Sequence, residues 1–217
     1  VSNWVRGLHT PLTKITVFDV RRPEVGFMLG AILAEGTEYI EYSEERLDRF
    51  RADFRNNDQS FIEEFIKASR QLGLNTTLKQ EKSGLGKLRW NVETKSTLLY
   101  LLLKHYDSFI TNTAEQVQLA FLRGLWLGDG HVGAVVALYN ANLKIINAVS
   151  TLLKMHEVKH TIQEPYPPGS LGRKPVYVVY IRSCSRKRFL GLTGLADSPP
   201  RPTPSLKPTC PCNASYA

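Results

Sequence analysis

The sequence predicts an α+β fold of two pseudo-symmetric halves, each running helix, hairpin, helix, hairpin, helix (αββαββα), packed through one pair of matching helices. Three observations predict it. A nine-residue pattern occurs twice, as Met28-Leu29-Gly30-Ala31-Ile32-Leu33-Ala34-Glu35-Gly36 and as Leu122-Arg123-Gly124-Leu125-Trp126-Leu127-Gly128-Asp129-Gly130, each copy preceded by Phe (Phe27, Phe121). After each copy, alternating and helical hydrophobic periods follow in the same order. Within each copy small residues lie four apart, Gly30 with Ala34 and Gly124 with Gly128, which places each pair on one helix face.

The first half is predicted at 23–112, after an N-terminal arm at 1–22. Pro23 suits a first helical turn, with Glu24 near its positive end, and the helix runs through Val25, Phe27, Leu29, Ile32 and Leu33 to Glu35. Gly36 reads as its stop. A strand is expected at 37–42 and another at 46–55. In the latter Arg49, Arg51, Asp53 and Arg55 fall on an open face and Phe50, Ala52 and Phe54 on the other. Asp58 caps an amphipathic helix at 59–72 whose stripe is Phe61, Ile62, Phe65, Ile66 and Leu72, and Gly73 ends it. A second hairpin pairs 75–81 with 87–93 across the tip Ser83-Gly84-Leu85-Gly86, and an apolar helix follows at 96–106.

The second half is predicted at 113–196. It holds the second motif helix at 114–129, one strand at 132–139 standing for a much shortened hairpin, and a helix at 142–155 capped by Asn142. A hairpin joins 158–163 to 176–182 through a long tip containing Pro165, Pro167, Pro168, Gly169 and Gly172. A short helix closes the half at 183–192. From 197 to 217 six prolines break any period, and this segment reads as a tail outside the fold.

Composition narrows the function. The formal net charge is +8, which favours an acidic partner, most simply nucleic acid. Cys184, Cys210 and Cys212 make neither a disulfide framework nor a paired zinc spacing, so a reduced intracellular protein is expected. No apolar run is long enough for a membrane span.

The motif itself is chemical. Small residues on facing helices let two backbones approach closely. If those faces pack together, Glu35 and Asp129 emerge side by side. Two close carboxylates repel when ionised, so the site invites a divalent cation. Oxygen ligands suit magnesium with phosphate co-ligands, and such a centre supports in-line displacement at a phosphodiester. A two-stranded ribbon fits the major groove. The basic candidates for DNA contact are Arg49, Arg51, Arg55, Lys79, Lys87, Arg89, Lys159 and Arg182. Gln80, Asn91 and Gln163 are the candidates for reading base edges. For each residue alone a solvated strand face is an even alternative; as a set on alternating faces they favour DNA.

At the two motifs, at Tyr139-Asn140-Ala141-Asn142 and at the final strand 176–181, the chain resembles the LAGLIDADG homing endonucleases of the single-chain, two-motif type, and is most similar to archaeal intron-encoded members. The resemblance covers 22–194. It implies two halves whose antiparallel sheets form a saddle on DNA. It also implies a staggered double-strand cut in a long asymmetric site by a monomer using Mg2+ or Mn2+, with Ca2+ able to bind without cleavage. By position Glu35 and Asp129 match the catalytic, metal-binding acids, and Gly36 and Gly130 offer backbone carbonyl ligands. Asn56, Asn57 and Asn140 stand where a polar residue holds active-site water. Glu against Asp departs from the family's commonest pair of aspartates, and its basic residue near the metals has no evident counterpart. The implied location is the prokaryotic cytoplasm at the nucleoid, or an organelle in a eukaryote. Two rival readings share the scaffold: an RNA maturase with host intron RNA as partner, and a non-cleaving DNA-binding protein. Retention of both acids argues for cleavage.

Overall fold

The computed structural model describes residues 2–5, 13–43, 46–82, 88–166 and 175–195. Its elements are β1 (Ser2–Val5), β2 (Thr13–Thr16), α1 (Pro23–Glu35), β3 (Gly36–Ser43), β4 (Arg46–Asn56), α2 (Gln59–Gln71), β5 (Thr76–Lys82), β6 (Leu88–Lys95), α3 (Thr97–Lys104) and α4 (Tyr106–Thr111). The second half adds α5 (Glu115–Asp129), β7 (Gly130–Val132), β8 (Val136–Asn140), α6 (Leu143–Met155), β9 (His160–Tyr166), β10 (Val176–Ile181) and α7 (Ser183–Thr193). The tip at 83–86 with Lys87, the segment holding Pro167, Pro168, Gly169 and Gly172, and the tail from 197 onward lie outside the described residues.

Each half builds one antiparallel four-stranded sheet with the same topology, β3-β4-β6-β5 and β7-β8-β10-β9. The inner strands are therefore the second strand of each hairpin. Both sheets turn one face to the helices. Phe54 and Val92 in the first sheet, and Leu138 and Val179 in the second, are fully buried on that side. The opposite faces carry the polar positions of β4 and β6 in the first half, and Tyr139 with Tyr180 in the second.

The halves meet through α1 and α5. The glycines make this possible. A methyl group at Gly30 would overlap the Phe121 carbonyl, and one at Gly124 would overlap the Phe27 carbonyl, so the backbones touch without intervening side chains. Gly26, four residues before Gly30 and outside the nine-residue motif, takes the same role against the Val117 carbonyl. A Cβ at Gly128 would overlap that of Ala34 and stand 3.0 Å from Cγ of Glu35, which fixes how close the two helix ends come. Around this seam Met28, Leu29, Ile32, Leu122, Leu125 and Trp126 are buried, and Trp126 packs on Phe189 at 4.6 Å between ring centroids. A second link is Arg123 of α5. Its Nε lies 2.8 Å from Glu64 on α2, and its Nη1 donates to the Gly194 carbonyl at 2.7 Å.

Local chemistry explains most element ends. The Asp58 carboxylate accepts from the backbone N–H groups of Ser60 and Phe61, and Asn142 accepts from that of Lys144. Gly194 ends α7 in the left-handed region at φ 65°. Three expectations are corrected. The helix expected at 96–106 stops at Lys104, and α4 starts after His105, whose backbone leaves the helical region at φ −120° and ψ 25°. The strand expected at 132–139 is two strands, folded back at 133–135 where the Gly133 N–H donates to the Val135 carbonyl at 3.1 Å. Pro165, expected in the tip, lies within β9. That strand is a sheet edge, where a missing N–H costs no ladder bond.

Candidate functional site

α1 and α5 end at the same place, so the sequence's two acids arrive together. Glu35 is exposed at the end of α1, and Asp129 is partly buried at the end of α5. Burial first, and the neighbouring charge of Glu35 as well, push the Asp129 carboxyl up from 3.8 to about 7, while a hydrogen bond from Asn140 works the other way. That bond runs from Asn140 Nδ2 to Asp129 Oδ2 at 2.6 Å. Asn140 Oδ1 in turn accepts the Asn142 N–H at 2.7 Å, so the amide is anchored at both ends. Asn56 is its pseudo-symmetric equivalent, and its Oδ1 accepts the Asp58 N–H at 2.8 Å. Asn57 is exposed in the bend between β4 and α2. Gly36 opens β3 opposite Phe54, and Gly130 opens β7 opposite Leu138, each directly after its acid.

The donor set fits a divalent cation. Two carboxylates of one site, one of them left largely desolvated beside the other, form an arrangement that a hard cation with oxygen ligands relieves. Among the described residues no group of three or more His, Cys, Asp and Glu side chains converges on a metal-sized space. Among the described residues, no cation contributes to the shift of Asp129.

The sign of the Asp129 effect follows from the raised value. Below pH 4 the carboxyl is protonated folded and unfolded alike. Between about 4 and 7 the unfolded chain has released a proton that the folded chain still holds, so stability falls as pH rises through this window. We expect metal-free protein to lose on the order of 2–4 kcal/mol relative to Asp129→Asn between these limits. Millimolar Mg2+ should abolish most of that difference. Urea unfolding at several pH values, with and without the ion, measures it; a pH-independent difference would show that the acids are not coupled through burial.

The first sheet's polar face differs from its expected form. Arg51, Asp53 and Arg55 do share a face, but it is not open at its centre. Asp53 is 2% exposed, and the Arg51 side chain is 11% exposed. The reason is that carboxylates of β4 itself, of β6 and of β5 pair with the arginines on this face. Arg51 lies 3.3 Å from Glu93, which also holds Lys79 at 2.7 Å. Arg55 lies 3.0 Å from Asp53 and 3.0 Å from Glu81, and Arg89 pairs with Glu81 at 2.8 Å. Asp53 is nevertheless pushed up from the usual carboxylate range, chiefly by burial. Asn91, opposite Arg55, is buried with them. Sequence reading missed Glu81 and Glu93, although Glu93 continues the alternation through Arg89 and Asn91.

The remaining positions separate. Gln80 pairs with Trp90 and so lies on the opposite face from Lys79 and Arg89. Arg49 stands opposite Glu41 in β4, but its side chain, like Lys87, lies outside the described residues. Gln163 sits on β9 opposite Val178 and accepts the Tyr166 hydroxyl at 2.6 Å. Lys159 and Arg182 are exposed at the ends of β9 and β10, where they line one concavity with Lys154 and His160.

Comparison with known proteins bears on the fold that carries these residues. Residues 116–194 match the model of the LAGLIDADG-like domain. No curated protein matches the chain in sequence. Among solved structures, the complex of I-DmoI with DNA and Ca superposes with a TM-score of 0.62 at 20% identity, covering 78% of this chain and 87% of that one. Full-length DUF199/WhiA from Thermatoga maritima gives 0.58 at 14% identity, covering 82% of this chain and 57% of that one. The homing endonuclease I-WcaI bound to its DNA recognition sequence gives 0.54 at 16% identity, with 80% and 81% covered. The fold is that of the LAGLIDADG homing endonucleases.

Proposed function

We propose that this chain is a divalent-metal-dependent DNA endonuclease that makes a staggered double-strand cut in a long, asymmetric site, acting as a monomer. The observation that carries the reading is the convergence of Glu35 and Asp129 at one end of the α1–α5 seam. A single chain supplies both acids, and nothing about their placement requires a second copy. Further support comes from the partners of structures sharing the fold: I-DmoI is in complex with DNA and Ca or Mn, and I-WcaI is bound to its DNA recognition sequence.

Magnesium or manganese held by the two carboxylates would supply water activation and stabilisation of the leaving oxygen. The chain's own residues do the rest. The glycine contacts set the distance between the acids. Asn140 holds the Asp129 carboxylate in one orientation, and Asn56 is fixed at the matching place in the other half. Glu35 is the longer and more exposed of the two acids, so the two strands are expected to be cut at unequal rates. Asymmetry of the site also follows from unlike sheets: the two halves share topology but not surface.

The test is incubation of the full chain with a randomised duplex library and Mg2+, followed by sequencing of the new ends. Recurrent cut sites with a fixed stagger support the reading. Retention of duplexes without new ends would instead favour the non-cleaving DNA-binding protein.

A further inference from the structure

The two sheet faces flanking the acids carry opposite chemistry. Among the described residues, the strands of the first sheet hold eight lysines and arginines, and those of the second hold none. In the first sheet each of Arg51, Arg55, Lys79 and Arg89 leans on a carboxylate of its own face, at 2.7–3.3 Å. Those contacts hold long, otherwise mobile side chains in one position and temper their charge. The second sheet turns Tyr139, Tyr180, Gln163 and Thr161 the same way, with Val178 on that side fully buried. Tyr139 and Tyr166 are 37% and 47% exposed, and Tyr166 donates to Gln163. Burial and hydrogen bonds with Tyr166 and Tyr139 raise the Tyr180 phenol well above its usual range, so this phenol keeps its proton. Among the described residues, the cations nearest these strands stand just past their ends, at Lys159 and Arg182.

We propose that the two halves bind their DNA half-sites by different chemistry. The first half uses carboxylate-positioned cations. The second uses neutral hydrogen-bonding and apolar groups, led by Tyr139, Gln163 and Tyr166. The proposal rests on the DNA-binding reading above. Its physical basis is that cations on phosphates release counterions and make affinity salt-dependent, by about 0.9 log unit per log unit of salt for each contact. Phenol and amide groups release none. A glutamine can instead pair with an adenine edge, and apolar surface with a thymine methyl. The first half thus supplies most of the salt-dependent affinity, and the second adds sequence discrimination with little non-specific attraction.

The experiment selects bound duplexes from a randomised library on the full chain in Ca2+, then measures affinity for the selected duplex across a salt series. Lys79→Gln with Arg89→Gln should lower the salt slope by about 2. Tyr139→Phe with Tyr166→Phe and Gln163→Ala should leave the slope unchanged and relax base preference, about tenfold or more, at one half of the selected site only. All are surface changes, and circular dichroism confirms that each variant is folded. A fall in slope for the tyrosine–glutamine variant equal to that of the cation variant would overturn the proposal. So would loss of preference spread evenly over both half-sites. If the native chain retains no duplex at all, the DNA-binding reading fails, and this proposal fails with it.

Discussion

Gly124→Ala is expected to destabilise the folded state severely. The added methyl would sit inside the Phe27 carbonyl oxygen and 2.8 Å from the Ala31 nitrogen. Both obstacles are backbone of a buried helix, so no rotamer change relieves them. Separating α1 from α5 is the only escape, and it opens the seam around Met28, Leu29, Leu122 and Trp126, all essentially unexposed. Overpacking a core costs about 1–3 kcal/mol where side chains can shift. Here they cannot, and about 4 kcal/mol or more is expected, a large share of the ~5–15 kcal/mol that holds a domain together. Gly191→Ala is the control. That glycine is exposed in α7 with nothing within 4 Å of an added Cβ, so alanine should stabilise by roughly 0.5–1 kcal/mol. Urea denaturation of the two variants measures both effects. A Gly124→Ala protein within 1 kcal/mol of the parent would mean the helices are not in backbone contact.

Asp129→Asn should remove double-strand cleavage, by at least about 10³-fold, or roughly 4 kcal/mol of barrier. The substitution preserves shape, and the amide oxygen can still accept the Asn140 hydrogen bond. What it removes is the charge that holds a cation. The same change should stabilise the metal-free protein at neutral pH, because Asp129 is ionised there only at a cost set by burial and by Glu35. Loss of cleavage together with gained stability is the signature of a site built for function at the expense of the fold. DNA retention in Ca2+ should survive. Glu35→Gln should also lose double-strand cutting. Quantitative plasmid cleavage, scored for nicked and linear product, decides it. If both variants cut like the parent, the acids are not the catalytic centre.

Much of this architecture was legible in the chain. The duplicated motif identified both seam helices and both acids, because a glycine spacing of one turn has few uses other than close backbone packing. Asp58 and Asn142 marked helix starts through chemistry confined to three residues. The misreadings arose where local pattern was ambiguous. Val132 to Tyr139 is apolar enough for one strand, and only the three-residue return at 133–135 makes it two. Gly26 escaped notice because it lies outside the motif, although it meets Val117 as closely as the others meet their partners.

The sequence alone determined the two-half plan, the seam and the pair of carboxylates, since each depends on periodicity or on residues a few positions apart. The tertiary structure decided the environment of those groups. That Asp129 is partly buried and tied to Asn140 while Glu35 is exposed depends on how the strands of each half close over the helix ends. That Arg51, Arg55 and Arg89 lean on Glu93, Asp53 and Glu81 depends on the register of β4, β5 and β6. Burial and charge pairing are set by neighbours distant in the chain, and alternation along one strand carries no record of what the next strand brings beside it.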